Sequence, residues 1–211
     1  MKIIILTSSK HHPIYPLLKN WKNEQSKVHD VILTTKIPSK PKGDFLFLIS
    51  YLSLLKKEIR ENFKHVLVIH ASDLPKGRGW SPHVWTILKG QNKITVSLLE
   101  AEDKVDSGNI WKKSHLKLEG HELYDEINKK LFQTILKLMD FAIDNFKHVK
   151  PLKQPEKNIS YYKRRTPENS ELDPKKSIAE QFDLLRVSDP NRFPCYFYLR
   201  GKKFQLSIKK I

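Results

Sequence analysis

Residues 66–82 read VLVIHASDLPKGRGWSP, and the parsing of this stretch sets the fold. Four apolar residues, Val66 to Ile69, run into His70, and two prolines, two glycines and two cations follow before any pattern resumes. A continuous apolar run is the mark of a strand covered on both faces, so His70 closes a buried strand. Behind it Pro75 and Pro82 restrict the backbone while Gly77 and Gly79 free it, which lets main-chain groups of the loop approach a ligand closely. In open parallel sheets ligands sit beyond the carboxyl ends of the strands, where His70 stands.

Similar runs recur as KIIILT, HDVILTT, DFLFLIS and KITVSLLE, with IYPLLKNWKNEQ and LLKKEIRENF between them as helical patterns. This β-α-β order predicts an α/β fold: an open, mostly parallel Rossmann-like sheet with helices on both faces. In WSPHVWTILKG, Ser81 is placed to cap a helix, Pro82 to start it and Gly90 to end it in a left-handed turn. The clearest helix is HELYDEINKKLFQTILKLMDFAIDNF, where Leu123, Ile127, Leu131, Ile135, Leu138 and Ala142 form one apolar stripe. Composition then shifts. The stretch KPLKQPEKNISYYKRRTPENSELDPKK is polar and proline-rich and predicts an extended surface segment. A boundary near Lys150 follows, dividing a main unit, 1–150, from a C-terminal part, 151–211. The latter holds that segment, a helix (SIAEQFDLLRV, opened by a capping box of Ser177 and Glu180) and a β-hairpin (CYFYLRGKKFQLSI, turning at Gly201).

Thirty-nine lysines and arginines against 23 acids give a net charge of +16, which predicts attraction to anions: nucleic acid, anionic lipid or phosphorylated metabolites. Cys195 is the only cysteine, so an internal disulfide is excluded and a reducing, cytoplasmic location is expected. The longest apolar run, FLFLISYLSLL, falls short of the ~18 residues that span a bilayer. The start, MKIIILTSSK, is too short in apolar residues for a secretion signal and reads as a first strand. His11 and His12 are adjacent, and no HExxH or CxxC accompanies them, so no metal site is expected. The first loop, TSSKHHP, lacks GxGxxG, which argues against a dinucleotide.

Downstream, VSLLEAEDKVDSGNIW passes from a strand into an acidic loop that carries Asp106 just before Gly108. The pattern HxSxLPxxxGxxPxxW, here HASDLPKGRGWSPHVW, followed after a helix and a strand by DxGxI, here DSGNI, resembles the folate-dependent formyltransferases over residues 45–110. The SDLPKGRGWSP version and the tail YYKRRTPENSELD are most similar to bacterial sugar N-formyltransferases, among them the enzyme of pseudaminic acid biosynthesis.

The resemblance implies a formyl donor, 10-formyltetrahydrofolate, and no covalent intermediate with the protein. The acceptor it implies is a nucleotide-linked amino sugar, such as UDP-4-amino-4,6-dideoxy-AltNAc, and the assembly a homodimer. It makes His70 the proton shuttle and oxyanion partner, since imidazole moves protons near neutral pH, and Asp106 the orienting base. The family's asparagine, two residues before the histidine, is replaced by Val68. Removing such a donor to an oxyanion costs ~10²–10³ in rate, so Ser72 or a loop N–H is the expected substitute. Ser50, Tyr51, Leu52, Ala101, Glu102 and Asp103 map to folate contacts. Lys76, Arg78 and Trp80 are the expected contacts to the acceptor's nucleotide, with Arg164 and Arg165 bracing the C-terminal segment against the acidic loop.

Three alternatives stand beside this reading. Methionyl-tRNA formyltransferase suits a basic chain, though the stretch after Lys150 is short for that family's additional C-terminal domain. Glycinamide ribonucleotide formyltransferase carries a glycine-rich phosphate loop where this chain has TSSKHHP. A non-catalytic nucleic-acid-binding protein fits the charge, but no RRM, helix-turn-helix or zinc pattern supports it.

Overall fold

The structure, a computed structural model, describes residues 1–211. In chain order the elements begin β1 (Lys2–Leu6), α1 (Tyr15–Gln25), β2 (Asp30–Thr34), β3 (Gly43–Leu48), α2 (Lys57–Arg60) and β4 (Phe63–His70). Then come β5 (Arg78–Gly79), α3 (Pro82–Leu88), β6 (Lys93–Glu100), β7 (Ile110–Lys117) and α4 (Tyr124–Asn145). The chain ends with β8 (Tyr161–Tyr162), α5 (Ile178–Val187), β9 (Cys195–Leu199) and β10 (Lys202–Leu206). Six strands form one sheet in the order β2-β1-β3-β4-β6-β7.

The first four are parallel, and β6 and β7 are antiparallel to their neighbours, so the fold is a mostly parallel Rossmann-like α/β sheet. The expectation that KITVSLLE runs parallel is corrected here: β6 pairs His70 with Ser97 and Leu67 with Glu100, running back along β4. Its apolar run could not tell direction, because a doubly covered strand shows the same composition either way.

The two faces are covered unequally. On one, 26 buried residues gather under α1, α3, α4 and the end of α5; on the other only six, Ile4, Leu6, Leu46, Leu48, Leu55 and Phe63, form the core. The thin face is closed by the single turn α2 and the loop 50–56, so LLKKEIRENF, expected as a full crossover helix, supplies four helical residues. Side chains alternate along β4, so Val66, Val68 and His70 point toward this thin face while Leu67 and Ile69 enter the larger core.

Helix α3 starts at Pro82 as expected, but Ser81 does not cap it with its hydroxyl; it adopts a left-handed conformation, φ 45°. Helix α4 begins three residues later than the pattern suggested, because the Glu122 carboxylate accepts the N–H groups of Glu119 and Gly120 and fixes a turn there. The stripe Ile127, Leu131, Ile135, Leu138 and Ala142 is buried. Ser177 and Glu180 form the expected capping box of α5. The hairpin β9–β10 turns at Arg200 and Gly201, both with positive φ.

The segment after Lys150 runs extended over the surface, and it is stitched to the main sheet. Leu152 exchanges two main-chain hydrogen bonds with Ile110, and β8 pairs in parallel with β5. No helix is long and apolar enough to cross a membrane.

Candidate active site

His70 closes β4 with its side chain 9% exposed. Its Nε2 lies 2.8 Å from the Gly77 carbonyl oxygen and its Nδ1 3.5 Å from Asp106 Oδ2. Both neighbours are acceptors, so a neutral ring can donate to only one of them. Asp106 reaches this position by a detour. Glu100 ends β6 opposite Leu67, three residues short of His70, and the loop 101–109 folds back to bring the carboxylate to the ring. Asp106 sits at φ 51°, its Oδ2 accepts the Gly79 N–H at 2.8 Å, and its Oδ1 has no hydrogen-bond partner.

The base of that loop is held shut. Glu100 accepts the Asn109 amide at 2.8 Å and the Trp111 indole at 3.1 Å, and a Cβ on Gly108 would stand 2.0 Å from the Glu100 carbonyl oxygen. Its acidic tip is held by Arg60, which donates to the Ala101 carbonyl at 2.7 Å and also pairs with Glu102 and Asp103. The N–H groups of Glu102 and Asp103 donate to nothing within the protein. Arg164 and Arg165 were expected to brace this loop and do not. Arg164 lies over the Trp80 ring, 4.9 Å from its centre, and Arg165 donates to the Asn169 carbonyl.

Beyond Ser50, which also has a positive φ, the Leu52 N–H donates to Ser8 Oγ, Tyr51 packs on the six-residue core, and Leu52 is 58% exposed. Ala101 packs on that same core. The two loops expected to contact a folate therefore flank one thin face of the sheet, presenting unspent main-chain donors and an exposed leucine. That combination suits a flat heteroaromatic ring read along its edge.

The loop after His70 is clamped from two sides. Lys113 donates to Asp73 Oδ1 and the Leu74 carbonyl. From the other side a strap, residues 152–162, crosses over: Gly77 N–H donates to Ser160 Oγ, Arg78 N–H to the Ser160 carbonyl and Trp80 N–H to the Tyr162 carbonyl. Tyr162 stacks on Trp85 with ring centres 5.9 Å apart, and the Trp85 indole donates to the Lys163 carbonyl.

Arg78 corrects an expectation. It is buried, with Nη2 donating to Gln154 Oε1 at 2.7 Å, Nη1 to the Tyr161 hydroxyl at 3.4 Å and Nε enclosed without a partner, so it does not present charge to a phosphate. Lys76 is exposed and Trp80 half-buried under Arg164. Ser72 is buried with its hydroxyl unpartnered and shut off from solvent, and so offers no donor to an incoming ligand. Its carbonyl accepts the Ser97 hydroxyl. Val68 packs on the six-residue core. Away from the pair, His12 Nδ1 accepts the Ile14 N–H, and Cys195 is buried against Ser188, where burial pushes its thiol pKa up. A hollow of about 290 Å³ at Asn92, Lys93, His115, Leu116 and Lys117 has one apolar lining residue and lies away from the His70–Asp106 pair.

Arg60, Gln154, Ser160 and Tyr162 support the pair and were not singled out from the sequence. Their partners are mostly main-chain atoms far along the chain, which leave no side-chain pattern to read.

The formyl transferase family profile matches residues 35–139. A methionyl-tRNA formyltransferase of Rickettsia prowazekii is 31% identical over 134 residues, 63% of this chain and 44% of that protein. The chain thus spans less than half the length of that relative. Among solved structures, a methionyl-tRNA formyltransferase from Clostridium thermocellum superposes with a TM-score of 0.83 at 23% identity, covering 100% of this chain and 93% of that one. A 4-N formyltransferase from Francisella tularensis gives a TM-score of 0.72 at 20% identity, covering 100% and 98%. Residues 35–139 contain His70, Asp106 and every loop that holds them except the strap, and over that stretch the chain carries a formyl transferase domain.

Proposed function

We propose that the protein transfers a formyl group from 10-formyltetrahydrofolate to the amino group of a nucleotide-linked amino sugar. The observation that carries the reading is the His70–Asp106 pair, 3.5 Å apart at the end of a central strand, with Asp106 Oδ1 free to accept a proton. The folate supplies an activated formyl carbon. Its ring would lie on the thin face between the 50–56 and 101–103 loops, where the free N–H groups of Glu102 and Asp103 are donors for a pterin edge.

Asp106 takes the proton from the attacking amine, directly or through one water, and steadies a positive charge on His70. His70 releases a proton toward the departing nitrogen and, when charged, stabilises negative charge building on the formyl oxygen. Burial of both side chains strengthens these interactions by excluding water. With Val68 in place of an amide donor and the Ser72 hydroxyl enclosed, His70 is the main group facing that oxygen.

For the acceptor, the Francisella 4-N formyltransferase matches this chain end to end. Exposed Lys76 and Arg164, the latter lying over the half-buried Trp80 ring, are cation and ring groups beside the site suited to a diphosphate and a base. A second reading, formylation of methionyl-tRNA, is favoured by the names of the Rickettsia and Clostridium proteins and by the +16 charge. A homodimer is part of the proposal for the sugar enzyme, as is a unit boundary near Lys150.

The test offers purified protein the formyl donor with a panel of amino-sugar nucleotides and with methionyl-tRNA, and reads products by mass. A formamide on a sugar nucleotide is expected, reduced by about 10²–10⁴ in His70→Ala and in Asp106→Asn. Product unaffected by His70→Ala would remove the mechanism; product on methionyl-tRNA alone would replace the acceptor.

A further inference from the structure

Between Lys150 and Asn169 one side chain is buried: Gln154, 5% exposed. Its amide is fully committed. Nε2 donates to the carbonyls of Asp106 and Gly108, each at 2.8 Å, and Oε1 accepts Arg78 Nη2 at 2.7 Å. These bonds join the two loops that make the pair. On one side is the backbone of Asp106 itself; on the other is Arg78, whose neighbours Gly77 and Gly79 bind His70 Nε2 and Asp106 Oδ2.

Asp106 needs such a hold. A non-glycine residue at φ 51° occupies the left-handed region, which persists only where the surroundings impose it. The Asp106 main chain receives its carbonyl bond from Gln154 and from no other group. Only an amide side chain provides two N–H donors on one atom and an acceptor on the other. Glutamate offers no donor, and lysine and arginine offer no acceptor.

We propose that Gln154 is a positioning residue for formyl transfer: it fixes the Asp106 carboxylate against His70 by binding the carbonyls of Asp106 and Gly108 and tying them through Arg78 to the His70 loop. This rests on the formyl-transfer reading for its kinetic consequence, though not for its geometry. Because Gln154 lies in the strap, the proposal makes the segment after Lys150 a working part of the site.

The experiment compares Gln154→Glu, Gln154→Met and the parent chain. The Glu variant keeps shape and the Arg78 contact but turns an acceptor toward two carbonyls; the Met variant removes all three bonds without adding charge, in case the first does not fold. Formyl-transfer kinetics, melting temperature and ¹⁵N spectra of histidine-labelled protein are recorded, with Asp106→Asn as the reference for a broken pair and His70→Gln for assignment. The expected result is a fall in kcat of about 10–100-fold, KM for both substrates shifted less than about threefold, and His70 ring signals displaced in the same direction as in Asp106→Asn. A kcat within about twofold of the parent, a loss carried by KM alone, or unmoved His70 signals in a folded variant overturns the proposal. If the parent forms no formamide with any acceptor, the functional reading fails, and the His70 signals alone decide the positioning role.

Discussion

At the scale of single residues, the site depends on what is missing as much as on what is present. Gly108 does not have a positive φ, so its requirement is for space: the Glu100 carbonyl occupies the place of a Cβ, and all three atoms that a Cβ would meet are Glu100 backbone. An alanine there must push the base of the 101–109 loop open, against the Asn109 and Trp111 bonds to Glu100 that close it. Asp106 lies two residues away and moves with it. We therefore expect Gly108→Ala to cost about 2 kcal/mol or more of unfolding free energy and about tenfold or more in formyl transfer. Exposed Lys104→Ala in the same loop should stay within about 0.5 kcal/mol. Urea unfolding and initial rates measure both, and a Gly108→Ala protein equal to its parent in each would show that the close approach is not kept in solution.

At the scale of elements, the pairing of β5 with β8 is the joint on which the two parts of the site meet. Two residues per strand are too few to hold by hydrogen bonds alone, and the side chains add the rest: Tyr162 packs between Trp85 and Gly77, and Lys89 Nζ stands 4.6 Å from the Tyr162 ring centre. Tyr162→Ala should release the strap without unfolding α4 or the sheet. Cleavage by trypsin after Lys157, Lys163 or Arg164 is expected to quicken by about tenfold, corresponding to roughly 1.4 kcal/mol less protection of the strap. Unchanged cleavage would mean that the main-chain pairing suffices. This joint also leaves no pattern in the sequence. The strands β1, β3 and β4, the helix α4 and the capping box of α5 were legible because apolar spacing and local caps act between near neighbours. His70 and Asp106 were legible because their residue types, order and intervening elements form one pattern. Gln154 and Arg60 were not, since each acts on carbonyls more than 40 positions away, and carbonyls are the same at every residue. The direction of β6 and the shortness of α2 escaped for a related reason: pairing and covering partners, not composition, decide them.

At the scale of the whole molecule, the net charge of +16 makes acid conditions adverse in general, since each further proton adds to self-repulsion. Specific groups set where stability is lost. Burial, helped by the positive charge of Arg192 and opposed by Asp189, lowers the His12 pKa from 6.5 to about 4. Burial, with the nearby charges of His70 and His12, lowers His83 to about 4 as well. For both, the unfolded chain takes up the proton first, so the stability they contribute is complete above pH 6.5 and declines as the pH falls through about 4. Glu122 behaves differently. Its burial would raise the pKa, but Lys130 and the N–H groups of Glu119 and Gly120 outweigh that and hold it at about 2 instead of 4.5. With its side chain 3% exposed, that depression corresponds to roughly 3 kcal/mol, present above pH 4.5 and lost as the pH falls through about 2. Two acid windows that overlap only near pH 4 result. The urea midpoint, followed at constant ionic strength, should decline between pH 6.5 and 4 and again below 4.5. His83→Gln should lessen the first slope, His12 keeping the rest, and leave the second, whereas Glu122→Gln should lessen the second and leave the first. A midpoint that stays level from pH 7 to 5 in the parent chain would show that these two histidines are not held neutral by the fold.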